Sequence, residues 1–471
     1  MPYPYHKLTE IDIAALAAIT GPDRVSGGAD ISEDYFHDEM PEYGVYPPEL
    51  LIEPASTAEV SAVMAYAYEN NIPVTARGSG SGLAGGATCK YGGILLSLMR
   101  MNTIDPVDME NMTITTQPGA LLCDVADAAA AAGLFYPPDP GERTASIGGT
   151  VITNAGGMRA VRYGVTRNYV RSIEAVLADG SIVQFSSNVV KNVTGYDLKD
   201  LVIGSEGTLC ILTSVTLKLI PSPKCSHTLV IPFPALEPCI ETVPRLLQLS
   251  FVPTAVEFIE KELLDIVETY LNKPFPDKSG EAYLIVMYDG ATKAEVQEAC
   301  SLAAETCLEA GALDVKIANT ADRIEMVWLV RASVLEGMKA ACEDQEEADI
   351  VVPVARIAEY AKAVKEIGER YGIRIITAGH AGDGNIHTQL LRRDGMEDDG
   401  MWRKNARDCL EELYALAKGF GGQLTGEHGI GNGRLDYLEG FVGKRMHGLF
   451  KSVKRAFDEK NILNPGKLVE L

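Results

Sequence analysis

Three of the chain's seven histidines fall within residues 380–428. His380 and His387 bracket a Gly382-Asp383-Gly384-Asn385 run, and Glu427-His428 stands between Gly426 and Gly429. Asp-Gly and Gly-Asn accept the positive φ angles of a tight reversal. Ile373–Thr377 and Ile386–Leu391 alternate like strands, so the reversal between them is expected to bring the two imidazoles together. Two imidazoles plus a carboxylate are a usual ligand set for a divalent metal in an open, catalytic site, and Zn²⁺, Mn²⁺ and Fe²⁺ all suit it. A single histidine beside a strand is more often structural; two of them with Glu-His in a second glycine-rich loop carry the metal reading. Asp383, flanked by glycines, is expected to stabilise the turn.

A second concentration of such residues is Arg77-Gly78-Ser79-Gly80-Ser81-Gly82-Leu83-Ala84-Gly85-Gly86, with five glycines in ten residues. It directly follows the strand-like Ile72–Ala76, and Ile94–Leu98 flanks it on the other side. Backbone N–H groups in such a loop turn inward as an anion-binding nest, and a flexible linker fits poorly between two strands. No Gly-Lys-Ser/Thr follows, and no long helix with an acidic ribose partner, so neither a Walker loop nor the dinucleotide fingerprint is present. Further glycine-rich runs are Pro137–Thr150, Asn154–Gly157 and Leu201–Leu209. In the first two runs, Gly-Gly pairs close to prolines and small hydroxyl residues describe backbone that lies flat against something.

These loops need elements to hold them. A short helix is expected over 8–20. A strand at 50–54 is followed by a capping-box pattern, Ser56-Thr57-Ala58-Glu59, and a helix burying Val60, Val63, Met64 and Ala67; with the strand at 72–76 this makes a strand–helix–strand unit. Thr113–Thr116 leads into an alanine-rich helix over 121–132, and strands are expected at 173–177, 182–185 and 209–219. Ile220-Pro221-Ser222-Pro223-Lys224 marks a boundary. Beyond it, strands (229–233, 255–259, 283–288, 314–318) alternate with helices (236–249, 291–310, 355–370, 401–418). This predicts an α+β domain of mainly antiparallel sheet with helices on one face. The helix carrying Lys444, Arg445, Lys451, Lys454 and Arg455 is read as a solvated face.

A chain of 471 residues exceeds what one core serves. Its 42 basic and 65 acidic residues give a net charge of −23, which opposes nucleic acid and anionic lipid. Nine scattered cysteines without a Cys-x-x-Cys pair point to reduced thiols in a cytoplasmic protein. The N-terminal residues lack a secretory core, and no window has the apolar length of a membrane span.

The glycine-rich loop after a strand, Pro137-Pro138-Asp139-Pro140-Gly141, Ser146-Ile147-Gly148-Gly149, Asn154-Ala155-Gly156-Gly157 and Ile203-Gly204-Ser205-Glu206-Gly207-Thr208-Leu209, in that order, resemble the FAD-binding PCMH-type domain of the vanillyl-alcohol oxidase flavoproteins. The branch they resemble holds D-lactate, glycolate and D-2-hydroxyglutarate dehydrogenases. The resemblance implies an α+β fold: an N-terminal helix and irregular segment (1–48), a two-part FAD-binding domain (49–222), a substrate domain (223–420), and a segment (421–471) that completes the active site and returns to the FAD domain. It implies FAD with its pyrophosphate on Arg77, Gly78, Ser79, Gly80, Ser81, Gly82 and Leu83. The flavin ring is expected near Pro138, Asp139, Thr144, Gly148, Gly149, Asn154, Gly156 and Gly157, with Glu206, Gly207 and Ile211 completing the cofactor site. The first loop has no histidine, so the FAD is expected to be non-covalent.

The same resemblance implies His380, His387 and Glu427 as metal ligands, His428 as base, Arg331 for the substrate carboxylate and Gln389 as a polar substrate contact. Oxidation of a 2-hydroxy acid needs these parts. A metal stabilises the developing alkoxide, a neutral imidazole takes the proton, FAD takes the hydride, and a guanidinium fork holds the carboxylate. After Arg331 come Lys339 and then Glu343, Asp344, Glu346 and Glu347, a poor setting for a second carboxylate. A small monocarboxylate, D-lactate or glycolate, is therefore favoured over D-2-hydroxyglutarate. The expected electron acceptor is a protein such as an electron-transfer flavoprotein. The competing reading is a non-catalytic flavin subunit of a redox complex, which need not keep both histidines and Glu427-His428.

Overall fold

Ser56 opens the helix Thr57–Asn70 by accepting the Glu59 N–H at 3.3 Å. The reciprocal half of the box does not form, because the Glu59 carboxylate takes the Ala55 N–H and the Arg24 guanidinium instead. This computed structural model describes residues 5–342, 344–393, 395–396 and 398–471. The chain forms two units: Met1–Gly156 with Val165–Ser222 and Glu427–Leu471, and Gly157–Gly164 with Pro223–Gly426.

In the first unit the helix Thr57–Asn70 buries Val60, Val63, Met64 and Ala67 against Leu50, Ile52, Val74, Ile94 and Leu96. These lie on the parallel strands Leu50–Ile52, Ile94–Ser97 and Val74–Arg77, with Val25–Gly27 antiparallel at the edge. A second sheet runs Thr113–Thr116, Ile211–Lys218, Val170–Val176, Ile182–Phe185, antiparallel throughout. The C-terminal segment packs back on this unit, as expected. Val74 N–H donates to the Ile462 carbonyl, and Ile462 and Leu463 join the first sheet's core. The basic helix Lys444–Phe457 is solvated at Lys444, Arg445 and Arg455. Lys454 is the exception. It is buried and donates to the Thr208 and Leu463 carbonyls and the Asp458 carboxylate.

The second unit is one seven-stranded antiparallel sheet, in the order Lys316–Ala318, Cys225–Phe233, Ala282–Gly290, Ala255–Glu260, Arg374–His380, Asn385–Leu391, Gln345–Val351. Helices cover both faces, not one. Ile259, Tyr283, Ile285, Ile376 and Ala378 pack against Leu263, Val267, Val327, Val330 and Met338 of the helices Lys261–Leu271, Ala321–Ala332 and Val334–Ala341. Ile375, on the opposite face, meets Gly368 of the helix Ile357–Tyr371. The three helices under the first face and the strand Gln345–Val351 are absent from the sequence reading. All nine cysteines are free thiols.

Candidate functional site

Strand alternation puts Ile376, Ala378 and His380 on one face, joined by His387, Gln389 and Leu391 from the next strand. Toward the strand ends this face turns from apolar to polar. Glu257 pairs in register with His380, Asp349 with His387, and Glu347 with Gln389. The reversal is built as predicted. The Asp383 and Gly384 N–H groups donate to the His380 carbonyl, and the Asp383 carboxylate accepts the Asn385 N–H at 3.2 Å. Gly384 has φ +92°, and a Cβ there would run into the Val352 carbonyl oxygen.

His380 and His387 meet with their Nε2 atoms 3.4 Å apart. Two nitrogens each about 2.1 Å from one ion at a tetrahedral angle stand about 3.4 Å apart, so this spacing fits the metal expectation. The other ring nitrogens face acids. His380 Nδ1 lies 2.8 and 2.9 Å from the two Glu257 oxygens, and His387 Nδ1 3.3 Å from Glu347 and 3.8 Å from Asp349. Carboxylates behind ligand imidazoles are the usual second layer of a metal centre. Asp349 is fully buried and accepts from Asn385 Nδ2 (2.7 Å), Thr425 Oγ1 (2.6 Å) and the Gly426 N–H (3.1 Å). Glu427 is the next residue in the chain.

Arg331 is buried on the helix Ala321–Ala332, with Nε donating to Glu257 at 2.7 Å. Its Nη2, and the Oε1 of buried Gln389, have no hydrogen-bond partner among the described residues. Burial pushes the Glu257 carboxyl up, but the His380 imidazole and the Arg331 guanidinium outweigh it and leave it below the usual range. Lys339 reaches toward Glu336 on its own helix, and Glu343 lies outside the described residues.

The first unit holds a cleft lined by Arg77–Leu83, Gly148, Gly149, Gly156, Glu206, Gly207 and Ile211, with Glu427 and His428 also in the wall. Among the described residues, the N–H groups of Ser79 to Leu83 donate to no backbone carbonyl. Free N–H groups at a strand end fit a bound phosphate group. The loop packs on the helix Ile147–Thr153, whose N-cap is Ser146; the Ser146 N–H donates to Ser79 Oγ at 3.1 Å. The Arg77 guanidinium donates to the Asp34, His37 and Ala87 carbonyls, so it shapes the loop from behind. Glu206 also acts on backbone, accepting the Ile430 N–H at 2.7 Å and the Gly431 N–H at 2.6 Å. That pins the turn after His428. Glu427 lies against Gly156, where a Cβ would come within 2.9 Å of its Oε2.

Other expected cofactor residues stand outside the lining. Asn154 caps the helix Ile147–Thr153 at φ +52° and accepts the Arg167 N–H. Thr144 is exposed and donates to Glu142. Pro138, Asp139 and Gly157 do not line the cleft, and Gly157 belongs to the second unit. Asp38, which sequence reasoning passed over, does line it, and accepts the Gly86 N–H at 3.1 Å. Glu257 and Asp349 were missed too, and Glu347 was read only as an acid unfavourable to a second carboxylate. The available signals were a lone acid in the apolar run Ala255–Ile259 and acids alternating with apolar residues in Glu347–Val351.

Comparison with known proteins agrees with this architecture. Residues 48–186 match the family description "FAD binding domain", and residues 222–468 match "FAD linked oxidases, C-terminal domain". The chain is 44% identical to the D-lactate dehydrogenase of Anaerostipes hadrus, over 99% of this chain and 98% of that protein. It is 35% identical to the glycolate oxidase subunit GlcD of Bacillus subtilis, over 96% and 95%. The structure of p-cresol methylhydroxylase with substrate bound superposes with a TM-score of 0.79 over 97% of this chain and 96% of that one, at 18% identity, which supports the fold alone. That fold is the one the vanillyl-alcohol oxidase resemblance implies. With both matched regions and full-length relatives in agreement, the chain belongs to the family of FAD-linked oxidases.

Proposed function

We propose that the chain is an FAD-dependent dehydrogenase that oxidises a small D-2-hydroxy acid, D-lactate or glycolate, to the 2-oxo acid and passes the electrons to a protein acceptor. The observation that carries this reading is the cleft in the first unit, with uncommitted loop N–H groups and with Glu427 and His428 in its wall. The names of the relatives, D-lactate dehydrogenase and glycolate oxidase subunit, support the substrate class.

In this reading loop 77–83, Gly148, Gly149, Gly156 and Gly207 hold FAD non-covalently, and His380, His387 and Glu427 hold one divalent metal. Bound FAD supplies a hydride acceptor, and the metal supplies charge to stabilise an alkoxide. His428 takes the hydroxyl proton. Arg331 receives the substrate carboxylate through its unpartnered Nη2, in a buried setting where a charge-assisted bond is strong. Gln389 offers Oε1 to a substrate donor. Among the described residues no helix is long and apolar enough to cross a membrane, and the proposed acceptor is a protein such as an electron-transfer flavoprotein.

The test is anaerobic mixing of the FAD-loaded protein with D-lactate, L-lactate, glycolate and D-2-hydroxyglutarate while following the flavin's visible band. D-lactate or glycolate should bleach it. Bleaching by D-2-hydroxyglutarate alone moves the substrate assignment, and no response to any of the four rejects the dehydrogenase.

A further inference from the structure

We infer that Glu257 is a positioning residue whose one carboxylate sets both the tautomer of His380 and the orientation of Arg331. The inference rests on the reading of His380 and His387 as metal ligands. Glu257 is fully buried in the otherwise apolar run Ala255-Val256-Glu257-Phe258-Ile259. A charge in such a place is tolerated only when closely paired. It has a partner on each side. His380 Nδ1 lies within 2.9 Å of both oxygens, and Arg331 Nε lies 2.7 Å from Oε2.

An ionised carboxylate only accepts hydrogen bonds. His380 therefore carries its ring hydrogen on Nδ1, and Nε2 presents a lone pair to the point it shares with His387 Nε2, 3.4 Å away. The same carboxylate takes the Nε edge of the Arg331 fork and leaves Nη2 buried without a partner among the described residues. Glu257 thus couples the ion-binding face of one residue to the anion-binding edge of another, 123 and 74 positions along the chain. The simpler role, neutralising a buried arginine, would not require contact with His380.

The test uses ¹⁵N-histidine-labelled protein, FAD-loaded and stripped of metal, at mildly alkaline pH. Long-range imidazole correlations should show wild-type His380 as the Nδ1–H tautomer. In Glu257→Gln the amide N–H₂ faces Nδ1, so the ring hydrogen should move to Nε2. Mn²⁺ titrated alone should then bind about 10–100-fold more weakly, with FAD content unchanged. Wild-type His380 found as the Nε2–H tautomer overturns the proposal, whether or not the variant folds. Unchanged Mn²⁺ affinity in Glu257→Gln overturns it as well. His380→Ala separates the two readings. If it loses Mn²⁺ while Glu257→Gln does not, only the role of Glu257 fails. If neither variant changes Mn²⁺ binding, the ligand reading itself fails.

Discussion

His428 and Asp38 show how a single residue's surroundings decide what can be asked of it. His428 lies in the cleft wall and is followed by a turn that Glu206 pins through two N–H groups. Its replacement should remove a proton acceptor and leave the loops that hold FAD intact. His428→Ala is expected to slow flavin reduction by D-lactate about 10²–10⁴-fold, with the cofactor still bound after gel filtration. Reduction at the wild-type rate would reject His428 as the base. Asp38 is buried, and burial pushes its carboxyl up to about 6 from 3.8. Between those values the folded protein holds a proton that the unfolded chain releases, so Asp38's contribution to stability falls as pH rises through that window and stays low above it. In urea unfolding of apoprotein, Asp38→Asn should therefore gain on wild type by up to about 3 kcal/mol between pH 4 and pH 7. Hydrogen bonds lost in the variant cancel in that difference. A gap that does not change with pH would show that Asp38 is not perturbed. Sequence reading found His428 because Glu-His between glycines is conspicuous. It passed over Asp38 and Glu257 because a lone acid acquires meaning only from partners far along the chain.

At the scale of elements, the hairpin that carries His380 and His387 was legible and the strand beside it was not. Gly-Asp-Gly-Asn between two alternating runs specifies a reversal by local chemistry alone. Gln345–Val351 begins with an acidic run that resembles a loop, yet strand alternation turns Glu347 and Asp349 to one face and Ala348 and Ile350 to the other. His387 on the neighbouring strand makes acids there tolerable, together with the Asn385, Thr425 and Gly426 donors around Asp349. The glycine-rich loop at a strand end was likewise legible, whereas the side chain of Arg77 was not, since its carbonyl partners at Asp34 and His37 come from an irregular segment. The hairpin also yields a graded prediction. Gly384 and Gly311 both have positive φ, +92° and +98°, but nothing lies within 4 Å of a Cβ built at Gly311. Gly311→Ala should cost only the backbone term, about 1–2 kcal/mol. Gly384→Ala should cost more and weaken metal binding, because the Val352 carbonyl stands in the way. Equal shifts in urea midpoint for the two variants would show that the turn absorbs the clash.

For the whole molecule, the informative fact is which residues each unit gathers. Loops at 77–83, 148–156 and 206–212 and the pair Glu427-His428 are separated by long stretches of chain, yet all belong to the first unit and line its cleft. Glu257, Arg331, His380 and His387 all belong to the second. A bound ligand slows amide exchange only where it suppresses opening, and at a hundredfold excess over Kd that is about 2.7 kcal/mol, roughly a hundredfold in rate. Adding FAD to metal-free apoprotein should therefore slow exchange in peptides covering 77–83, 146–156 and 204–212, with Ser79 to Leu83 changing most because their N–H groups have no backbone acceptor among the described residues. Adding Mn²⁺ should slow peptides covering 255–260, 345–351 and 374–391, where the histidines and their acids sit on adjacent strands. The two footprints come from one experiment, hydrogen exchange read by mass spectrometry with each ligand added alone. FAD protection that spares 77–83 would remove the anion-binding role from that loop. A Mn²⁺ footprint absent from 374–391 would remove the metal from the two histidines.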